Sequence, residues 1–454
     1  MSEEIVEKNK SEVDLGEDHY AQHLADVNED NEVLSTGDIR NSKGVLLVKK
    51  GARIDNRAVK KIVQHKLTRP LEDQIAINDS IDNKKLLDHS NSLLDKYHDI
   101  QTIISDNEMN KEVNNVILGC SIPTIIFQNL TVLSHQQEDV FEKSVFSAVF
   151  AAMLAIQLRL PVNEQQNVYL ATLVHDLGLL RISPDILNKK EQLSSEEWRA
   201  IQSHVVIGEL MFKSIKGIPS SVSRAVLEHH ERCDGTGYPA GKNESGLETF
   251  GQIVGLADSI QAIRVNQFEK KGLNLANATP YLQLNSTTFF HSVYRAAHML
   301  VKNSTLQPAT HIPGNKHSRL ALDLLGKTEG LKNIIAPLRS SHDIMEALKA
   351  RKRGGAVIRI SSRLIERISS SGIFSKELTE WIKSVEKESA PGKSDLAELT
   401  YTNLMLNELT WQLESVRKNL GEYVDHECVD KDNENYAVLQ ENLEKMANCL
   451  TVLK

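Results

Sequence analysis

No two of the four cysteines, Cys120, Cys233, Cys428 and Cys449, stand in a CxxC pair. Their scatter fits free thiols in a reducing compartment better than a disulfide framework. Long apolar runs are also missing: the longest, around Ala148–Leu158, is broken by Gln157 and is too short to span a bilayer. The acidic N-terminus, Met1–Asp18, has no apolar core, so no signal peptide is visible there. Nor is there an excess of basic residues. Lys and Arg number 53 against 61 Asp and Glu, a formal charge of −8, which argues against a general affinity for nucleic acid. A small anionic ligand remains open, because local potential in a cleft outweighs the total. The expectation is a soluble cytoplasmic protein with neither nucleic acid nor membrane as a partner.

A chain of 454 residues exceeds an average domain, so two or three domains are expected. Residues 1–32 are polar and acidic and read as a disordered arm. In 33–80, a β-branched and leucine run, Val45-Leu46-Leu47-Val48, lies between Gly44 and Gly51 and reads as a strand bounded by turns. Asp55–Lys66 follows with helical spacing at Val59, Ile62 and Val63. A small mixed β/α module without a recognisable phosphoacceptor pattern is the reading. Residues 81–135 read as a helical connector. From Asp139 onward no strand alternation persists, and Val145, Val149, Ala152, Leu154 and Ile156 form a nearly all-round apolar helix suited to the middle of a bundle. A helical domain is therefore assigned to 136–302, and a further helical segment, carrying the basic run Lys349–Arg353, to 319–386. In 396–454, Leu399, Leu406, Leu413 and Leu420 recur every seven residues, and Leu439, Leu443, Met446, Leu450 and Leu453 form a second stripe. They read as a helical hairpin, serving either as an internal pair or in self-association. The fold class is mainly α.

Chemistry-bearing residues gather in the central domain. His175-Asp176 closes an apolar helix, His204 lies on an amphipathic one, His229-His230-Glu231 precedes a glycine-rich turn, and Asp258 ends Ile253-Val254-Gly255-Leu256-Ala257. Each singly is a packed or surface residue by default. As a set beside apolar runs they are costly to bury unpaired, and a carboxylate next to an imidazole suits a hard or borderline divalent ion.

The run His175-Asp176-Leu177-Gly178 is similar to the HD-x-G signature of the HD-GYP family, and His229–Pro239 resembles its HHExxDGxGYP string. Pro184–Lys189 and Leu193–Trp198 follow the same family between those motifs. The resemblance covers about a third of the chain. It implies a helical bundle holding two or three metal ions, commonly iron or manganese, that hydrolyses cyclic di-GMP in bacterial second-messenger signalling. Carried over by position, His175, Asp176, His204, His229, His230 and Asp258 match metal ligands, with Asp176 bridging and His175 and Asp176 at the catalytic centre. Gly235, Gly237 and Tyr238 match the turn that shapes the substrate side.

The chain departs from the family at two places that matter. Lys143 stands where the family has a histidine, and an ammonium cannot ligate a metal. It either replaces part of a cation's charge or swings to solvent; Asp139, one helical turn earlier, is placed to pair with it or to ligate. Leu179 replaces the lysine of HD-x-G-K, and Arg181 is the nearby candidate for a phosphate contact. Gln252 and Gln261 replace an arginine and an aspartate. The resulting expectation is one well-held metal at Asp176, His204, His229 and His230, and a second, weak or absent, at His175, Asp176 and Asp258. Three readings follow: an active cyclic di-GMP phosphodiesterase, a degenerate relative that binds nucleotide or partner proteins without turnover, or a structural metal site beside a helical interaction platform.

Overall fold

Helical periodicity past Asp139 and short strand signals before it both reappear in three dimensions, in a mainly α chain. The structure, a computed structural model, describes residues 17–310, 312, 316–348, 353–426 and 434–453. It divides into two units: Met1–Arg232 with Gly237–Ala262 and Ser292–Thr305, and Cys233–Thr236 with Ile263–His291 and Leu306–Lys454.

The first unit corrects the expected arm. Helix Glu17–Asp30 lies within it, because Tyr20, Leu24 and Val27 recur at helical spacing and are buried to 1% exposure or less. A polar composition concealed that narrow apolar face. Residues 1–16 of the arm lie outside the described residues. In the small module, strand Val33–Ser35 pairs antiparallel with Ile75–Ile77, Val33 opposite Ile77. Strand Leu46–Val48 pairs with Ile39–Arg40 and is bracketed by Gly44 and Gly51, both at positive φ. Helix Asn56–Ile62 starts where the Asp55 carboxylate accepts the Arg57 and Ala58 amides, satisfying two otherwise orphaned donors.

Residues 81–135 do more than connect. Helices Asn83–Lys96 and Asn110–Gly119 pack against helix Glu138–Gln157, and Ile100, Ile103, Val116 and Ile117 are fully buried. Helix Glu138–Gln157 is the axis of this unit, with every residue from Ser144 to Ile156 buried, as its all-round apolar character requires. Ala148, Ala151, Ala152 and Ala155 keep it thin, and helix Val162–Val174 packs along it. Among the described residues no single helix is long and apolar enough to cross a membrane.

The second unit is built on helices His317–Ala347, Arg353–Ser370, Lys376–Lys387, Lys393–His426 and Glu434–Leu453. Helix Arg353–Ser370 ends before Gly372 at φ +72°, and the next begins where Ser375 accepts the Leu378 amide. The basic run falls at residues 349–352, outside the described residues, and Arg353. Leu399, Leu406, Leu413 and Leu420 are wholly buried, as are Leu439 and Met446, in one core with Leu331, Ile334 and Leu338. The heptad stripe that suited either an internal pair or self-association is thus used up inside the unit, since helix His317–Ala347 packs on both hairpin helices.

Truncating a member of that stripe removes well-packed methyl groups. Leu406→Ala is expected to destabilise this unit by about 2–5 kcal/mol. Trp411→Ala, on the same helix but 65% exposed, should stay within about 0.5 kcal/mol. Urea unfolding followed by circular dichroism reads both, and equal midpoints for the two variants would contradict the packing.

Candidate metal centre

Three histidines sit where helices run out of internal hydrogen bonds. His175 follows helix Val162–Val174, His229 follows helix Ser220–Glu228, and His204 opens helix His204–Ser214 just after helix Ser195–Gln202. The last carbonyls of a helix lack intrahelical donors, and each ring takes one of them. The Nδ1–H of His175 donates to the Thr172 carbonyl at 2.6 Å, that of His204 to Ile201 at 2.6 Å, and that of His229 to Val226 at 2.7 Å. These bonds place a proton on each Nδ1 and turn each Nε2 toward the site.

The Nε2 atoms converge. His204 Nε2 and His229 Nε2 are 3.4 Å apart, and Asp176 lies 3.3 Å from His204 Nε2 through one oxygen and 3.3 Å from His175 Nε2 through the other. Asp176, His204, His229 and His230 offer ligand atoms that all lie within 4.8 Å of one another. Asp258 joins from helix Thr249–Ile263, 3.7 Å from His175 Nε2. His175, His204 and His229 are at most 2% exposed. Burial pushes His229 and His230 well below the usual imidazole range, and the neighbouring histidines push them further. Burial acts the same way on His175, but Asp176 and Asp258 outweigh it and raise the ring well above that range. Burial opposes ionisation of Asp176, yet His175 and His204 hold it well below the carboxylate norm. Two buried Nε2 atoms at 3.4 Å must share a proton or a metal ion, and imidazole with carboxylate is the donor set of borderline divalent ions. The residues fit a metal.

Close backbone contacts hold this arrangement. A Cβ on Gly178 would meet the His204 carbonyl oxygen at 2.1 Å, and one on Gly237 would meet the His230 carbonyl oxygen at 2.2 Å. Only glycine lets these backbones approach. Two buried carboxylates tie down the chain beyond the GYP turn: Glu231 accepts the Ala240 and Lys242 amides, and Glu228 pairs with Arg224 and Lys242 and accepts the Glu248 amide. Glu228 and its role were not anticipated; its only advance signal was a carboxylate next to His229 in an apolar helix.

Tyr238 stacks on His230, centroids 4.6 Å apart and planes at 28°. Gly235 adopts φ +71°, and its carbonyl accepts from Arg359 Nη2 at 3.2 Å. Arg181 requires a correction as a substrate contact. Its guanidinium is ion-paired with Glu72 and lies 4.2 Å over the Tyr20 ring, 6% exposed. It belongs to the core that joins the HD motif to the small module, because Leu177–Arg181 turns as a 3-10 helix toward that module. Lys143 is half-buried and Asp139 exposed; among the described residues no ion pair links them. Leu179 is half-buried, and Gln252 and Gln261 are buried.

The contact at Gly178 is backbone against backbone, so an added methyl has no flexible neighbour to displace. Gly178→Ala is expected to part the HD turn from His204, lower stability by about 1–3 kcal/mol and reduce bound metal. Elemental analysis with thermal denaturation checks this, and full metal content at an unchanged melting temperature would refute it.

A sequence model of the HD domain matches residues 124–291. The chain is 31% identical over 168 residues to a cyclic di-GMP phosphodiesterase of Pseudomonas aeruginosa, covering 37% of this chain and 41% of that protein. It is 32% identical over 142 residues to 3'3'-cGAMP-specific phosphodiesterase 1 of Vibrio cholerae, covering 31% and 33%. To a cyclic di-GMP phosphodiesterase of Thermotoga maritima it is 36% identical over 98 residues, covering 21% and 27%. The chain thus spans less than half the length of these curated relatives. The histidine-aspartate constellation lies within the segment that matches the HD domain and is similar to these phosphodiesterases.

Proposed function

We propose that this chain is a metal-dependent phosphodiesterase that hydrolyses a cyclic dinucleotide, cyclic di-GMP foremost, in a bacterial cytoplasmic signalling role. The observation that carries the reading is the convergence of Asp176, His204, His229 and His230 within 4.8 Å, with Tyr238 stacked on one of them. These side chains would hold the firm ion, iron or manganese. His175, Asp176 and Asp258 would hold a weaker second. Bound divalent ions acidify a water and neutralise charge on phosphoryl oxygens. The protein's own part is orientation. The helix-end carbonyls fix each imidazole, and the carboxylate of Asp176 is shared between His175 and His204. Burial raises the Tyr238 phenol far above its usual pKa, so it keeps its proton and is able to donate to a phosphoryl oxygen. Gly235 and Gly237 let the turn carry that ring to the site.

A second reading, binding without turnover, is favoured by one observation: the positions of Lys143 and Leu179 supply neither an imidazole nor a phosphate contact. The expected result for the first reading is linear dinucleotide from cyclic di-GMP with manganese- or iron-loaded protein, lost in His175→Ala and after chelation. No linear product under either metal would decide for binding without turnover. Protein purified without chelator is expected to retain about one tightly bound ion per chain, read by elemental analysis. Two or more would overturn the asymmetric assignment.

A further inference from the structure

The second unit contains a cavity of about 620 Å³, lined among others by Arg363, Arg367, Ser371, Tyr401, Glu366 and Glu398. That volume falls within the range of small-ligand sites. Its charges are sorted by depth. Glu366 and Glu398 are exposed at the rim, while Arg363 and Arg367 are half-buried. Arg367 donates to Gln412 Oε1 at 3.2 Å, Thr287 Oγ1 at 2.7 Å and Thr288 Oγ1 at 3.2 Å, all uncharged acceptors. Burial, and after it the charge on Arg363, lower its pKa, which marks a guanidinium whose charge is incompletely compensated. The carboxylates acting on it are Glu408, whose own pKa burial raises, and Glu366.

Arg363 has a second engagement. Its Nη1 lies 3.3 Å from Asp234 Oδ2, and the other oxygen of Asp234 accepts the Thr236 amide at 3.1 Å and hydroxyl at 2.5 Å. One turn back on the same helix, Arg359 donates to the Asp234 and Gly235 carbonyls, each at 3.2 Å. Arginines at 359, 363 and 367 therefore form one face that begins on the Asp-Gly-Thr stretch of the GYP turn and ends in the cavity.

We infer that this cavity is a binding site for a small phosphate-bearing polyhydroxy ligand of the mononucleotide type, and that its occupant draws Arg363 from Asp234. Two guanidinium groups supply the forked donors a phosphate takes, and the rim carboxylates accept from sugar hydroxyls or amino groups. The 3.3 Å pair with Asp234 is longer than a well-formed charge-assisted bond, so a phosphate competes with it on favourable terms. Loss of that pair frees the carboxylate that braces Thr236, in the run that continues to Tyr238.

The test titrates the full metal-loaded chain with GMP, with guanosine and with inorganic phosphate, by calorimetry. GMP is expected to bind saturably and at least tenfold more weakly to Arg367→Gln and Arg363→Gln, with guanosine not distinguishing them from the parent chain. A phosphate ester held at the metal centre is indifferent to Arg367→Gln, whose hydrogen bonds go to Gln412, Thr287 and Thr288 and not to the GYP turn, so unchanged affinity in folded Arg367→Gln overturns the site. So does an absence of saturable binding by the parent chain at millimolar GMP, or guanosine binding that falls in parallel. Should Arg367→Gln melt well below the parent, Arg367→Lys, which keeps the charge and loses the fork, decides the same question by the same loss of affinity. Hydrogen exchange is the second readout. GMP should speed exchange of the Thr236 amide in the parent chain and leave it unchanged in Arg363→Gln; equal rates with and without GMP overturn the coupling to Asp234. No readout involves turnover, so a catalytically silent chain leaves the test intact.

Discussion

The approach of the His204 and His229 Nε2 atoms to 3.4 Å is the constraint from which the first unit takes its form. Each Nδ1–H is committed to a helix-end carbonyl, so the contact is satisfied only by a second proton or a metal ion between the rings. Those carbonyls are the ones an α-helix leaves unpaired. Helix termination and ligand orientation are thus one event: the helix stops, its spare carbonyl grips the imidazole, and the free nitrogen faces inward. The same device at His175 and Thr172 brings a third ring to the same space. Ring nitrogens gathered in this way need a proton or a metal ion among them, and a bound metal would be part of the packing as well as of the chemistry.

What surrounds the rings follows from that requirement. The HD turn must lie against the His204 backbone, and the GYP turn against that of His230, closely enough that Gly178 and Gly237 admit no side chain. The chain beyond the GYP turn crosses a region with little regular structure. Glu228 and Glu231, both buried, satisfy its amides. Arg181 extends the HD turn in the other direction, to Glu72 and Tyr20. A buried guanidinium is costly unless paired, so the small module and helix Glu17–Asp30 are held to the HD motif by an interaction that neither can lose cheaply.

Much of this is legible in the amino-acid pattern alone. The all-round apolar helix, the bracketed strand and the heptad stripe are patterns of burial, and burial is what a sequence records most directly. The six ligand positions are legible through their motifs, since a long string such as His229–Pro239 constrains backbone and side chains together. Helix Glu17–Asp30 is hidden because its apolar face is narrow and its remaining residues are charged or polar. Arg181 misleads for a related reason: two residues from a lost lysine, it has the right charge at nearly the right place. Nothing local announces that a guanidinium will meet an aromatic ring 161 positions earlier in the chain. The arginines at 359 and 363 are opaque in the same way, since their acceptors are backbone carbonyls and a carboxylate of the distant GYP turn.

The departures at Lys143 and Leu179 fall on a site whose halves depend on different elements. Asp176, His204, His229 and His230 are placed by the HD turn, by the helix beginning at His204 and by the end of helix Ser220–Glu228, none of which involves Lys143. The other half draws on His175 and Asp258 and faces the loss of an imidazole from helix Glu138–Gln157. Asp176 belongs to both, with one oxygen toward His204 and the other toward His175. A carboxylate that bridges unequal partners is polarised toward the better-held one, so weakening one half strengthens the claim of the other on Asp176. The altered helix therefore acts on the site through electrostatics more than through shape. The packing that orients the histidines survives intact, while under the proposed loss of the second ion the positive charge at the site would fall on one side only.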